Sequence, residues 1–260
     1  MELNVNSFHF YSHYENIILS FMSYWMIFVG FVTFCFLLKY NAPYGRYSNY
    51  IFDLQMPVKV AWPLMTISPV LTFVIFLFIK DYFGVITFNY FYLLYVIHYF
   101  NRSLIYPNLI KDGKPMPLVP FALAFVFHIY NSSLQLVSAF NSRPSFEFLN
   151  IIGILGFFIG MFINITSDYQ LRNLRKCSTD SQRYKIPKGF LFEYVSCANY
   201  FGEIVEWLSY ALAMQSLASI AFAMFTVFNL LPRSISHHRW YVVKFEKYPR
   251  NRKAIIPFIL

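Results

Sequence analysis

Residues 148–165 read FLNIIGILGFFIGMFINI, and the chain continues TSDYQLRNLRK to residue 176. No Asp, Glu, Lys or Arg interrupts 148–165, and a helix needs about 20 apolar residues to cross a hydrocarbon core. The run ends in polar and basic side chains, as a membrane helix does where it emerges into water. Inside it, Gly153, Gly156 and Gly160 stand three and four residues apart. That spacing predicts a smooth helix face for close packing. A glycine-rich nucleotide loop would need a strand before it and a helix after it, and neither is available here.

Apolar stretches 16–38, 57–79, 85–105 and 118–140 read as further spans. The stretch 204–231 is longer than one span, so it is either one tilted helix or two shorter ones meeting near Gln215–Ser216. Across 260 residues, 58% are hydrophobic and 13% charged, where a soluble domain carries about 25% charged. Composition therefore excludes an ordinary water-soluble domain. A net charge of +9 invites a nucleic-acid reading, but 13 of the 21 Lys and Arg follow residue 171, in two blocks beside apolar helices. Membrane lipid or a bound anion suits that pattern, and no nucleic-acid partner is expected. Cys35, Cys177 and Cys197 show no CxxC spacing, so neither a disulfide framework nor a zinc site is indicated. Cys35 lies in an apolar run and reads as an inert buried thiol.

The opening MELNVNSFHFYSHYE has two Glu and no Lys or Arg, so the first span reads as retained rather than as a cleaved signal. Basic loops stay on the cytosolic side, which puts the N-terminus in the lumen and the loop 172–188 in the cytosol. The C-terminal tail is as basic as that loop, which requires an even number of crossings after residue 190. The expected fold is an all-α integral membrane protein of seven transmembrane helices, N-terminus lumenal and C-terminus cytosolic. Residues 1–260 form one polytopic unit.

The C-terminal third carries side chains that lipid would not tolerate. In INITSDYQLRNLRK (163–176), helical spacing gathers Asn164, Asp168 and Arg172 or Arg175 on one face. In GFLFEYVSCANYFGEIVEW (189–207), Asn199, Glu203 and Glu206 stand at i, i+4 and i+7, with Tyr210 extending the stripe. Ionisable groups at membrane depth cost roughly 2.5–3.5 kcal/mol each even on lenient scales, so several together imply a polar chamber. Amides and carboxylates can bond ribose hydroxyls, and guanidinium forks neutralise phosphates. A cytosolic helix end decorated with basic residues is the simpler account of Arg172 and Lys176. Paired carboxylates could also bind a metal, but His98, His237 and His238 do not stand at ligand spacing, and no metal is expected.

APYGRYS (42–48), HYFNRSLIYP (98–107), INITSD (163–168), FEYVSCANYFGEIVEW (192–207) and HHRWYVVKFEKYPRNRKAIIPFIL (237–260) occur in that order. Together they resemble the steroid 5α-reductase family, the animal 3-oxo-5α-steroid 4-dehydrogenases and their plant counterparts. The resemblance implies a multi-pass endoplasmic reticulum protein with a substrate-pocket half at about 1–145 and an NADPH-binding half at about 146–260. It implies that Asn164, Asp168, Arg175, Tyr184, Lys185, Asn199, Glu203, Arg233, His237, Tyr241 and Arg252 hold NADPH, with Lys114 contributing. Two departures stand out: Lys185 where the family commonly has Arg, and Phe190 after Gly189 where two glycines are common.

By the same resemblance, Tyr99 donates a hydrogen bond to the carbonyl oxygen of a lipid-like steroid enone. The family pairs that Tyr with a Glu. Here AWPLMTISP (61–69) has Thr66 at the Glu position, so Tyr99 and Thr66 are the catalytic candidates. Tyr44, Trp62 and Trp207 are candidates for a flat apolar substrate slot. Three readings stay open: an enone reductase, a reductase of enoyl thioesters or polyprenoids, and a non-catalytic relative that binds NADPH or sterol. Oligomeric state is left open.

Overall fold

Nine α-helices carry the described part of the chain: α1 (Val5–Lys39), α2 (Val58–Thr66), α3 (Ser68–Ile79), α4 (Tyr92–Phe100), α5 (Tyr106–Leu109), α6 (Leu118–Asn141), α7 (Phe148–Lys176), α8 (Ala198–Met214) and α9 (Leu217–Lys244). A π-helical segment, Asn101–Ile105, joins α4 to α5. The computed structural model describes residues 5–48, 54–79, 88–110, 113–142, 146–176 and 184–260, with side chains described from residue 16 and, in α7, up to residue 174. The third expected span thus begins outside the described residues, as does Cys177. So does the side chain of Arg175.

Among the described residues, four helices are long and apolar enough to cross a membrane: Asn16–Lys39, Leu118–Asn141, Phe148–Leu174 and Leu217–Lys244. A fifth span arises if α2 and α3 are taken together across a 41° bend. Pro69 explains that bend, because it has no N–H to offer the Met65 carbonyl four residues back.

Helices outlast the apolar runs that announced them. α7 continues past residue 165 to Lys176, and α8 begins at Ala198 rather than 204. The cause is that their polar residues face other helices instead of water. The long C-terminal stretch is two helices, and the break falls at Gln215–Ser216. Gln215 closes α8 in the left-handed region at φ 50°. Ser216 opens α9 through a capping box, its hydroxyl accepting from the Ser219 N–H at 3.2 Å. Cys35, in contrast to the buried thiol expected, is exposed on α1.

The predicted glycine face packs α7 against α8. A Cβ at Gly153 would lie 2.5 Å from the Ala213 nitrogen, and one at Gly202 2.6 Å from the Asn164 nitrogen. At Gly160 it would strike the backbone of Glu206 and Gly202. The interior is unusually polar, with Asn131, Ser132, Gln135 and Ser138 of α6 buried, while Phe21, Phe28, Leu123 and Phe162 point outward. Exposed apolar bulk around a hydrogen-bonded interior is what a hydrocarbon solvent selects.

Several connections meet at one end of the bundle. Strands Gln55–Met56 and Met116–Pro117 pair antiparallel just before α2 and α6. The tail bridges to the segment before α8, with Val195 against Lys253 and the Ser196 N–H donating to the Lys253 carbonyl at 2.9 Å. Tyr47, in the loop after α1, touches His237 near the end of α9.

Gly160→Val should destabilise the bundle, since the clash is with backbone that cannot rotate away. Overpacking costs about 1–3 kcal/mol, and at roughly 2–4 °C per kcal/mol for chains of this size a lower Tm in detergent is expected. Gly45→Ala, where a Cβ meets nothing within 4 Å, carries only the strain of φ +62° and is the comparison.

Candidate active site

Arg102 sits at the centre of the polar cluster. It lies in the π-helical segment, 8% exposed, and its guanidinium reaches two other helices. Nη1 donates to Asp168 Oδ2 of α7 at 2.6 Å. Nη2 donates to Asn164 Oδ1 and to Glu203 Oε2 of α8, each at 3.0 Å. The Asn164 amide in turn donates to the Asn199 carbonyl at 2.9 Å, and Asn199 Nδ2 donates to Asp168 Oδ1 at 3.2 Å. The structure therefore brings together Asn164 and Asp168 of α7 with Asn199 and Glu203 of α8, two pairs whose spacing places each on one face of its own helix. The guanidinium that joins them was not among the predicted site residues. Arg102 stood in the sequence as one cation at a helix end. The signal that could have found it is its place four residues after His98, an offset that puts both on one helical face.

That offset matters because α8 answers it. Glu206, three residues after Glu203, meets His98 Nδ1 at 2.7 Å with both side chains buried. Two α8 carboxylates thus face two basic side chains on the α4 rod. Glu206 Oε2 keeps no hydrogen-bond partner.

Tyr99 lies between these two rungs and is 5% exposed. Its ring stacks on Trp207 at 5.9 Å and meets His98 and His128 edge-on at 5.1 and 5.2 Å between centroids. A row of donors leads to the residue one turn before it. Tyr210 donates to Gln135 Oε1 at 3.4 Å, Gln135 Nε2 to Asn131 Oδ1 at 3.1 Å, and Asn131 Nδ2 to the Tyr95 hydroxyl at 3.1 Å. The Tyr95 ring packs on the Tyr99 ring, 4.7 Å between centroids. Thr66 is buried and donates to the Trp62 carbonyl of its own helix at 2.8 Å.

A second group gathers where the connections meet. The Arg233 guanidinium donates to the Tyr200 hydroxyl at 2.8 Å and to Asn229 at 3.0 Å, and lies 5.0 Å from the Tyr44 ring. His237 bridges Tyr47, 3.0 Å from Nδ1, and Tyr200, 3.2 Å from Nε2. Burial pushes the Tyr47 hydroxyl up to about 12, so it keeps its proton at neutral pH. Arg46 lies over Trp240 at 4.6 Å, Tyr241 at 4.9 Å and Tyr184 at 5.7 Å, and its Nη1 is buried without a partner. Neither Arg46 nor Arg233 has a carboxylate at ion-pair distance among the described residues. Arg46, like Arg102, was not predicted as a site residue.

The remaining candidates fall elsewhere. Arg252 is buried and donates to the Pro187 carbonyl at 2.8 Å, clasping the tail to the segment before α8. Glu193 accepts from the Gly189 N–H, which holds its carboxyl below the usual range. Phe190 takes φ 51°, left-handed backbone suited to glycine, which costs about 1–2 kcal/mol in other residues. Lys185 follows Tyr184 directly, while Lys114 stands in the short segment before Met116. Trp62 packs near Tyr44 beside α2, 5.4 Å from Tyr106, with its indole N–H buried and unpaired. Trp207 belongs to the central aromatic core. No three of His, Cys, Asp and Glu come together as a metal site among the described residues.

Residues 114–260 match the family model described as 3-oxo-5-alpha-steroid 4-dehydrogenase. The chain is 41% identical over 245 residues to 3-oxo-5-alpha-steroid 4-dehydrogenase 1 of Rattus norvegicus, covering 90% of this chain and 92% of that one. It is 39% identical over 257 residues to the Homo sapiens protein of that name, covering 94% and 96%. Against Steroid 5-alpha-reductase DET2 of Arabidopsis thaliana it is 39% identical over 251 residues, covering 90% and 94%.

Arg102→Ala should leave Asp168 and Glu203 buried without their counter-charge. Breaking a buried pair from one side costs about 3–5 kcal/mol, read as a lower unfolding midpoint in detergent. Adding Asp168→Asn and Glu203→Gln should recover part of that loss.

Proposed function

Because this chain belongs to the 3-oxo-5-alpha-steroid 4-dehydrogenase family, we propose that it reduces the conjugated C=C of a 3-oxo-Δ4-steroid, or a similar lipid enone, with NADPH. The observation that carries the reading is Tyr99 itself, buried among the rings of Tyr95, His98 and Trp207 one helical turn from the Arg102 cluster. As an enone is reduced, negative charge develops on its carbonyl oxygen. A donor preorganised at that oxygen in a water-poor site is worth several kcal/mol. Held between those rings, the Tyr99 phenol offers its proton from a fixed position.

The cofactor supplies hydride when bound. Its phosphates fit Arg46 and Arg233, which carry positive charge with no carboxylate at ion-pair distance among the described residues, and His237, Tyr241 and Tyr184 line the same group. Asn164, Asp168, Asn199 and Glu203 hold the nicotinamide end beside Tyr99. Arg175, Lys185, Lys114 and Arg252 complete the cage in this reading. Tyr44, in contact with both Arg233 and the cluster around Trp62, joins the cofactor to a substrate slot completed by Trp207.

The same reading has seven crossings in the endoplasmic reticulum membrane, N-terminus lumenal and C-terminus cytosolic. Residues 1–145 then form the substrate side and 146–260 the cofactor side. The gathering of the basic tail, the 184–197 segment and Arg46 at one end of the bundle supports it, since cytosolic loops retain basic residues.

Membranes containing the chain, given NADPH and a panel of 3-oxo-Δ4-steroids and enoyl-CoAs, should consume NADPH with the steroids. Tyr99→Phe should lower kcat about 10²–10³-fold, the usual cost of one oxyanion donor, with NADPH affinity unchanged. Full turnover by Tyr99→Phe, or NADPH loss with enoyl-CoA alone, would sink the reading. Arg46→Met and Arg233→Met should each weaken NADPH binding about 10–100-fold, matching a lost charged hydrogen bond of about 1.5–3 kcal/mol.

A further inference from the structure

His128 is a lone imidazole on an apolar helix, and its surroundings set it apart. It lies one turn beyond Ala124 on α6 and one turn before Ser132, which faces the buried interior. Its ring meets the Tyr99 ring edge-on at 5.2 Å, and Nδ1 is buried with no hydrogen-bond partner among the described residues. A buried polar atom left unpaired costs about 1–3 kcal/mol, so something is expected to bond it. α2 and α6 both start from the same two-stranded ladder and pack through Ala61, Met65, Phe121 and Ala124. Thr66, next to Met65, and His128 therefore belong to one helix seam. The Thr66 hydroxyl, whose proton is committed to Trp62, has none left for a substrate.

We propose that His128, as a neutral imidazole, is the second hydrogen-bond donor to the substrate carbonyl oxygen, beside Tyr99. The inference rests on the enone-reductase reading above. In the step it serves, a bound reduced nicotinamide would supply the hydride that bonds to the β-carbon and would itself be oxidised. The C=C pair shifts toward the carbonyl, whose oxygen becomes an enolate held by Tyr99 O–H and His128 N–H. The enolate then re-forms the ketone as the α-carbon takes a proton from water. No proton leaves His128, so it need not be cationic. Neutral imidazole acts as the electrophile in this way in triosephosphate isomerase.

Three variants test the proposal in membranes already shown to reduce a 3-oxo-Δ4-steroid. His128→Phe keeps an aromatic ring and removes the donor; kcat should fall about 10²-fold or more, with KM nearly unchanged. His128→Gln, which restores an N–H, should recover most of that loss. His128→Phe with Thr66→Glu should also recover turnover, because the carboxyl returns a donor to the same seam. A second readout does not need turnover. A steroid 3-carboxylate, whose anionic oxygens imitate the enolate, should bind His128→Phe at least tenfold more weakly. The saturated 3-oxo-steroid should bind it as it binds the parent chain, which also shows that the variant is folded. Equal kcat and equal carboxylate affinity in His128→Phe would overturn the role of His128 while leaving Tyr99 in place. A parent chain that reduces no 3-oxo-Δ4-steroid would overturn the enone reading and this inference together.

Discussion

A guanidinium removed from water must recover several kcal/mol of lost hydration from its neighbours, and Arg102 meets that demand with two carboxylates and an amide from two other helices. The requirement positions much of the molecule. α7 and α8 must come close enough for Asp168, Asn164 and Glu203 to reach one fork. Gly153, Gly160 and Gly202 permit this by removing the side chains that would hold the backbones apart. The π-helical turn that carries Arg102 belongs to the rod bearing Tyr99, so the charge cluster also sets the depth and azimuth of the phenol. Helices are not pressed together by the hydrophobic effect in lipid, because lipid tails are as apolar as leucine. Polar contacts of this kind therefore hold the interior in register.

The positive charges divide into two classes with different consequences. Arg102 is neutralised within the protein and acts as a structural hub. Arg46 and Arg233 are surrounded by aromatic faces and hydroxyls, with no carboxylate in reach among the described residues. Ring faces and phenol oxygens soften a guanidinium charge without cancelling it, which leaves a field suited to a phosphate. Tyr44 and Tyr200 stand between the two classes, one beside the apolar cluster of α2 and the other on α8. Charge for a nucleotide, a donor for a carbonyl and an apolar wall for a ring system thus adjoin without any metal being required by the proposed chemistry.

Legibility followed the type of spacing. The close-packing face of α7 could be read because its glycines recur at helical intervals. Asn164, Asp168, Asn199 and Glu203 could be read because acids and amides at i, i+4 and i+7 are too costly in lipid to be incidental. The break at Gln215–Ser216 could be read because the basic tail required an even number of crossings after residue 190, which favoured two helices over one tilted one. Arg102, Arg46 and His128 escaped for a shared reason. A single cation or imidazole beside an apolar run looks the same whether it faces lipid headgroups, water or a buried partner. Apolar runs marked only the lipid-facing part of α7 and α8, and the polar spacing of 163–176 and 199–206 carried the helices beyond residues 165 and 204.

Sequence alone determined that this is a helical membrane protein whose acids and amides line one interior face, because apolar run length and helical periodicity are local properties with a fixed physical cost. It also determined the family, through several motifs in unbroken order. Tertiary structure decided which charge answers which: that Arg102 joins the acids, that Arg46 and Arg233 meet no carboxylate at ion-pair distance among the described residues, and that His128 stands against Tyr99. Those pairings span up to 190 residues of chain, as between Tyr47 and His237. Coulomb and hydrogen-bond energies depend on separation in space, which no interval along the chain encodes.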